Sequence, residues 1–190
     1  FRHAKTKLND GSFLGQNRDP DITKHKINFK KQKFSKIFTS PLKRCVSTVK
    51  ILSKNQKYIS DKDLLEINYG RAEGMNFKGL KKNFPYVDKY WLQKKDVKFP
   101  NGESMKDVNK RVVKFLKKLI KYKINNSCVV THNVFLRVLI GSSFNIPKEK
   151  WYKIYIPHLM RLEFLIIDNR VYPNIGRDKL KIIFSNLNSC

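Results

Sequence analysis

A strand followed by a turn and a helix occurs twice in this chain, and this repetition constrains the fold more than any other feature. The first unit joins a β-type run, Lys36 to Ser40, to a helix that opens at Ser40-Pro41 and continues to about Lys54. The second unit joins a small and apolar run, Ser127 to Thr131, to a helix from Val134 to Phe144. Strands that alternate with helices are typical of a parallel sheet covered by helices. The pattern predicts a three-layer α/β/α sandwich with a mostly parallel central sheet.

The remaining segments supply further elements of one domain over residues 1–190. The chain has 190 residues and a hydrophobic content of 41%, which suffices for one core. Residues 70–102 contain aromatic residues and lysines without sustained periodicity, so we expect a lid or insertion with short helices there. The other expected elements are a polar helix at Asp21 to Lys33, a helix from Met105 to Tyr122 capped by Ser104, a strand from Leu162 to Ile167 that turns at Asp168-Asn169, and a strand from Lys181 to Phe184.

Histidine and arginine side chains lie where a ligand crevice is expected in such a sandwich. Arg2-His3 opens the chain, Arg44 falls in the first turn of the helix that opens at Ser40-Pro41, and His132 directly follows a predicted strand. Ligands of open α/β sheets bind beyond the carboxyl ends of the strands, so these distant segments should converge. Two imidazoles with nearby arginines indicate a phosphate site whose nucleophile is nitrogen.

Taken in order, these motifs resemble those of the histidine phosphatase superfamily, also called the phosphoglycerate mutase-like family. The resemblance covers nearly the whole chain and starts with the opening signature Arg2-His3-Ala4-Lys5-Thr6. The later matching segments are Asn9, Gly15, Ser40-Pro41-Leu42-Lys43-Arg44, Glu66 to Gly74, Asn101-Gly102-Glu103-Ser104 and Thr131-His132. The resemblance implies phosphoryl chemistry that needs neither a metal nor another cofactor.

By this resemblance, His3 is the nucleophile, which attacks phosphorus and forms a phosphohistidine that water then hydrolyses. Arg2, Arg44 and His132 clamp the transferring phosphoryl group, and Asn9 is an additional donor. Fixed cations and donors stabilise the spread negative charge of a phosphoryl transition state. Because nearby positive charge disfavours a protonated imidazole, we expect the arginines to lower the pKa of His3 and keep it nucleophilic.

The same resemblance assigns Glu66 as the acid/base that protonates the departing alkoxide and later takes a proton from water. Its motif position favours Glu66 over the nearby Glu73, and a helix-capping role accounts for Glu103. Two further histidines, His25 in a lysine-rich segment and His158 beside a strand, are expected to have surface or local structural roles outside the site.

The chain begins at Phe1, already inside the end of an apparent strand. In the fold that the resemblance implies, this strand lies centrally in the sheet, and its neighbours need it as a backbone partner. We therefore expect the first strand to be truncated here and the natural gene to encode several apolar residues upstream.

The chain carries 41 Lys and Arg residues against 15 Asp and Glu, a formal charge of +26. Such a charge fits nucleic acid, an anionic surface or an acidic substrate, although a lysine-rich composition of the whole chain explains it equally well. A basic nucleic-acid-binding domain with incidental histidines is therefore the alternative of another class. Lysines and aromatic residues interleave at Phe29 to Phe34 and at Tyr90 to Lys95, but without a known binding-motif spacing. We expect a small phosphorylated substrate rather than nucleic acid as the partner.

Cysteine usage and hydropathy bear on the compartment. Cys45, Cys128 and Cys190 lack metal-ligand spacing and are typical of a reduced protein. We therefore expect no metal site and a cytoplasmic location. The best apolar stretch, Leu162 to Ile167, has only the length of a strand, so no membrane span is predicted.

Within the family, the main alternatives are a phosphomonoester hydrolase and a phosphoglycerate mutase. Mutases that use bisphosphoglycerate have a longer segment between the acid and the second histidine than the compact stretch from Glu66 to His132. This difference favours the phosphatase. The substrate stays open among a sugar phosphate or bisphosphate, a phosphoglycerate, the phosphate of α-ribazole and a phosphorylated protein side chain.

Overall fold

A parallel sheet organises the structure, which is a computed structural model that describes residues 1–23, 33–53, 56–92, 95–122 and 126–187. Its strands are β1 (Lys36–Thr39), β2 (Ile59–Ser60) and β3 (Ser127–Val130), in the order β2-β1-β3. Both neighbours run parallel to β1, so the carboxyl ends of all three strands lie at one edge. The mostly parallel sheet predicted from the sequence is thereby confirmed.

The first residues of the chain extend this sheet beyond β3. Arg2 pairs in parallel with Thr131, whose N–H donates to Phe1 O and whose carbonyl accepts from His3 N, each at 3.0 Å. On the other side, Leu159 N donates to Arg2 O at 3.1 Å. This pairing brings His3 to the same sheet edge as His132, the second residue after β3.

Helices cover both faces of the sheet because successive strand residues point to opposite sides. Ile37 packs with buried residues of α1 (Lys43–Ser53) on one face. Phe38 points to the other face, which α4 (Met105–Lys121) and α5 (Asn133–Ser143) cover. This arrangement gives the predicted three layers.

Helix α4 and its cap agree with the sequence prediction. Ser104 and Asp107 form a capping box, in which each side chain bonds the backbone N–H of the other residue. Buried residues recur on one face at Val108, Val112, Phe115 and Leu119. Helix α4 therefore has a fixed first turn and a firmly packed side.

The first helix begins later than predicted. Its first hydrogen bonds run from Cys45 N and Val46 N to Leu42 O, so α1 starts at Lys43 and not at Pro41. Ser40 therefore precedes the helix, and its hydroxyl accepts from Leu42 N at 3.4 Å and also lies 2.8 Å from Nε2 of His132. The hydroxyl of Ser40 thus has one local and one tertiary partner.

Residues 70–102 contain the expected short helices. They are α2 (Phe77–Asn83) and α3 (Pro85–Leu92), preceded by a 3₁₀ turn at Gly70–Ala72. Leu80 and Val87 are fully buried and attach the segment to the core. A lid function for this segment stays a prediction.

The end of the chain contains one confirmed and one wrong prediction. Strands β4 (Phe164–Ile167) and β5 (Arg170–Pro173) form an antiparallel hairpin, and Asp168 and Asn169 adopt the positive φ values of a tight turn, 48° and 60°. The strand predicted at Lys181 to Phe184 is wrong, since α6 (Arg177–Ile183) occupies this stretch. Ile183 is fully buried and Ile182 is 43% exposed, because the apolar residues follow a helical period from Leu180.

Part of the chain lies outside the described residues. The predicted polar helix at 21–33 falls largely on residues 24–32, which include His25, and Cys190 is also outside. Of the residues described near there, Ile22 forms an antiparallel bridge with Thr6. No helix within the described ranges has the length and apolar character needed to cross a membrane.

Candidate active site

His3 lies buried at the sheet edge, with only 2% of its surface exposed. Its Nδ1 is 2.7 Å from the carbonyl oxygen of Ala4. Because a carbonyl can only accept, Nδ1 carries the hydrogen and Nε2 keeps its lone pair. The hydroxyl of Thr48 accepts from Ala4 N at 2.9 Å and donates to Arg44 O at 2.6 Å, which ties this backbone to α1. The local structure thus presents Nε2 of His3 as the free nitrogen.

His132 stands at the N-terminal end of α5 and is fully buried beside His3. The two ring centroids are 5.1 Å apart, with the planes inclined at 61°. Arg44 Nε donates to Nδ1 of His132 at 3.3 Å, so the hydrogen of the neutral ring is on Nε2 and points to the Ser40 hydroxyl, 2.8 Å away. The structure therefore brings together the two histidines that the sequence singled out.

Arg44 is completely buried, and its guanidinium is held by the loop that follows His3. Nη2 donates to Gly15 O at 2.6 Å, and Nη1 donates to Arg18 O at 3.1 Å and to Asp19 Oδ1 at 3.4 Å. Gly15 has a φ of +64°, a conformation that favours glycine. These acceptors fix a positive charge next to both imidazoles.

Arg2 supplies a second guanidinium at the sheet edge. Its Nη1 donates to the carbonyl of Ile156, whereas its Nε is buried without a partner in the described part of the chain. Burial lowers the pKa of Arg2 to about 10, and the charge of Glu66 acts in the opposite direction. A buried cationic N–H without an acceptor is suited to an oxyanion.

The pKa values of His3 and His132 are both held well below the usual value of 6.5, first by burial and then by the charge of Arg44. The Ala4 carbonyl partly opposes this shift in the pKa of His3, whereas Arg2 adds to it. The expected direction is confirmed, although burial contributes more than the arginines. Both rings are neutral near pH 7, as a nitrogen nucleophile requires.

Glu66 reaches the same edge from the loop after β2 and is 7% exposed. Its Oε1 accepts from Ile67 N at 3.0 Å and from Val134 N, in the first turn of α5, at 3.1 Å. Oε2 has no hydrogen-bond partner among the described residues. One carboxylate oxygen is thus fixed by backbone, and the other is available to a ligand.

Asn9 lies in the turn that follows His3. Its Oδ1 accepts from the backbone N–H and the hydroxyl of Thr6, at 2.8 and 3.0 Å. These bonds hold the turn and leave the amide nitrogen as a possible donor. Its described contacts do not reach the histidine pair, so its predicted role as a phosphate donor stays a prediction.

His158 is a neighbour of His3 that sequence reasoning placed outside the site. Its Nδ1 donates to the carbonyl of His3 at 3.0 Å, and the two ring centroids are 5.2 Å apart. The charge of His158 also contributes to lowering the pKa of His3. The only sequence signal was a further histidine beside a predicted strand, and no spacing rule connects it to His3.

No metal-binding cluster of three or more His, Cys, Asp or Glu side chains occurs within the described ranges. The Cys45 thiol lies 3.3 Å from Nε2 of His132, but burial raises the pKa of Cys45 and keeps it protonated. The charged groups of the candidate site are therefore guanidinium and carboxylate groups.

Comparison with known proteins shows similarity along most of the chain. A family model described as the histidine phosphatase superfamily (branch 1) matches residues 1–171. Phosphoserine phosphatase 1 of Hydrogenobacter thermophilus is 29% identical over 80% of this chain and 77% of that protein. A phosphoglycerate mutase of Schizosaccharomyces pombe is 27% identical over 73% of this chain and 75% of its own. The solved α-ribazole phosphatase from Shigella flexneri has a TM-score of 0.77 at 19% identity, with 92% of this chain and 93% of that one covered, and supports the fold alone.

Proposed function

The chain belongs to the histidine phosphatase superfamily, and we propose that it hydrolyses small phosphomonoesters through a phosphohistidine formed on His3. The observation that carries this proposal is the hydrogen bond from His3 Nδ1 to the Ala4 carbonyl, which leaves Nε2 unprotonated beside two guanidinium groups. A nitrogen lone pair and fixed positive charge are the two requirements of nucleophilic attack on a phosphate ester.

In the first step, Nε2 of His3 attacks phosphorus while the bond from phosphorus to the leaving oxygen breaks. Glu66, protonated on Oε2, gives its proton to that oxygen, and the alcohol departs. The imidazole carries positive charge in the phosphohistidine, and the Ala4 carbonyl on Nδ1–H stabilises it. In the second step, water attacks phosphorus, the P–N bond breaks and Glu66 takes a proton from the water. Orthophosphate leaves and His3 is neutral again.

The clamp in this proposal consists of Arg2, Arg44 and His132, with Asn9 as a further donor. Arg44 is pre-arranged by its carbonyl and carboxylate acceptors, and the buried Nε of Arg2 needs an acceptor that a phosphoryl oxygen can supply. Two guanidinium groups provide the charge that metal ions provide in many phosphoryl transferases. We therefore propose chemistry that does not depend on a metal.

The phosphoserine phosphatase relative makes amino-acid phosphates the first substrates to test, and the α-ribazole phosphatase fold makes α-ribazole phosphate the second. The similarity to a phosphoglycerate mutase keeps phosphoryl transfer between hydroxyl groups as the alternative activity. The nucleic-acid alternative assumed that the histidines are incidental, and their ring contact argues against this assumption.

Rapid-quench trapping tests the proposal. The protein is mixed with a labelled phosphomonoester from a panel that contains phosphoserine, 3-phosphoglycerate and α-ribazole phosphate, and the label bound to protein is measured. We expect a base-stable, acid-labile phosphoenzyme and release of orthophosphate. His3→Ala should abolish both. Transfer of phosphate to a second phosphoglycerate without release of orthophosphate would indicate the mutase instead.

A further inference from the structure

Arg111 of α4 holds the backbone of the loop that carries Glu66. Its Nη1 donates to the carbonyls of Asp63 and Leu65, at 3.0 and 2.9 Å. Its Nη2 donates to the carbonyl of Glu66 itself at 3.3 Å. One guanidinium thus contacts the backbone immediately before and at the proposed acid.

Glu103 fixes the orientation of this guanidinium. Its Oε1 accepts from Arg111 Nε and its Oε2 from Arg111 Nη2, both at 2.9 Å. With the three carbonyls, all five N–H groups of Arg111 have acceptors. A bidentate pair defines the plane of the guanidinium as well as its position. Arg111 therefore has no freedom to turn towards solvent without losing these bonds.

Glu103 also holds the other side of the Glu66 loop. Its Oε2 accepts from Asn68 N at 2.9 Å and from Gln16 Nε2 at 3.3 Å. Gln16 Nε2 also donates to Glu66 O at 2.7 Å. The backbone around Glu66 is thus held on both sides by side chains that lie outside the proposed chemistry.

We propose that Arg111 and Glu103 are positioning residues for the general acid Glu66. This role rests on the function proposed above. Among the residues that the structure describes, the carboxyl group itself has only two hydrogen bonds to backbone, both to Oε1. The direction of Oε2 is therefore set by the backbone, which Arg111 and Glu103 hold from the capped start of α4. Neither residue contacts the substrate, and each acts through Glu66.

This assignment differs from a purely structural role in its dependence on the leaving group. An alkoxide is a poor leaving group and needs a proton from Glu66, whereas 4-nitrophenolate leaves readily without one. Loosening the loop around Glu66 should therefore slow alkyl ester cleavage much more than aryl ester cleavage. A general loss of folding lowers both rates by the same factor.

The experiment compares Arg111→Lys and Glu103→Gln with the parent protein and with Lys117→Met. Lysine keeps the charge of Arg111 but cannot reproduce its planar fork. Lys117 is an exposed cation on the same helix without a hydrogen bond or ion pair in the described part, so it serves as the matched control. The measured quantities are kcat/KM for 4-nitrophenyl phosphate and for the alkyl phosphate that the parent hydrolyses best. Competitive inhibition by orthophosphate and a thermal melt accompany them.

We expect Arg111→Lys and Glu103→Gln to lower the alkyl rate about tenfold or more and to change the aryl rate and the inhibition constant of orthophosphate by less than about threefold. Lys117→Met should change neither the alkyl rate nor the aryl rate. Equal losses of rate on both esters, or no loss on either, would overturn the role assigned to Arg111 and Glu103. The proposed function would still stand in that case, because the parent protein hydrolyses the esters. A parent that cleaves neither ester would overturn both proposals. If Arg111→Lys melts below the assay temperature, the assignment is tested by Glu103→Gln alone, through its loss of rate on the alkyl ester relative to the aryl ester.

Discussion

Replacing Thr48 by Val removes the hydroxyl that connects α1 to the backbone after His3. Thr48 is fully buried, and its Oγ1 accepts from Ala4 N at 2.9 Å and donates to Arg44 O at 2.6 Å. Valine has nearly the same shape, so the change deletes hydrogen bonds and keeps the packing. The carbonyl of Arg44, inside a helix, keeps its helical partner, whereas the N–H of Ala4 loses its acceptor.

The expected cost follows from this single orphaned donor. A buried polar group without a partner costs roughly 1 to 3 kcal/mol, so we expect the free energy of unfolding to fall by about 2 kcal/mol. In a urea titration the midpoint should fall and the slope should stay the same. The kcat of the phosphatase should also fall, because the Ala4 carbonyl fixes the tautomer of His3.

Thr48→Ser is the matched control, since it keeps the hydroxyl and loses only a methyl group. We expect it to lose about 1 kcal/mol of stability and to keep most of the activity. A Thr48→Val protein as stable and as active as the parent would refute the role given to this hydroxyl. So would a Ser variant that is no more active than the Val variant.

Three further predictions concern the same site. Folding lowers the pKa values of His3 and His132, so below the usual histidine pKa of 6.5 the unfolded chain binds more protons than the folded one. The free energy of unfolding should therefore decrease as the pH falls below that value. Urea titrations should show a smaller decrease in His3→Gln. Glu66→Gln should lower kcat for alkyl phosphates by about 10² to 10⁴ and accumulate phosphoenzyme with 4-nitrophenyl phosphate, since the second step lacks its base; this is measured by quench. Gly15→Ala would place a Cβ 2.0 Å from Oε1 of Glu73 at a φ of +64°, so its melting temperature should drop and its inhibition by orthophosphate should weaken.

The strand-turn-helix units were predictable because their signals are local. Runs of β-type or small and apolar residues, a capping box and apolar spacing are all properties of neighbouring residues, and they identified β1, β3, α4 and α5. The strand prediction at Lys181 to Phe184 was wrong because it also used only local information. It is too short for its period to separate a strand from a helix, and burial of Ile183 against the core decided the outcome.

The candidate site shows where local information ends. His3, Arg44 and His132 were found because they belong to known motifs that follow strands. His158 was missed because its contact with the His3 carbonyl depends on the path of residues 157–160 beside the first residues of the chain. Ser40 has a sequence context typical of a helix start, and its hydroxyl has a tertiary partner, His132, that this context does not predict. The hydrogen bonds that connect Arg111 to the Glu66 loop join three separate segments, and no spacing rule predicts them.

The central claim is that Nε2 of His3 forms the bond to phosphorus. The most direct measurement is NMR of trapped phosphoenzyme with ¹⁵N-labelled histidine, which identifies both the residue and the nitrogen that carries phosphorus. The account predicts one phosphorylated imidazole, at Nε2 of His3, with Nδ1 still protonated. Phosphorus on Nδ1, on His132 or on a residue other than histidine would contradict it.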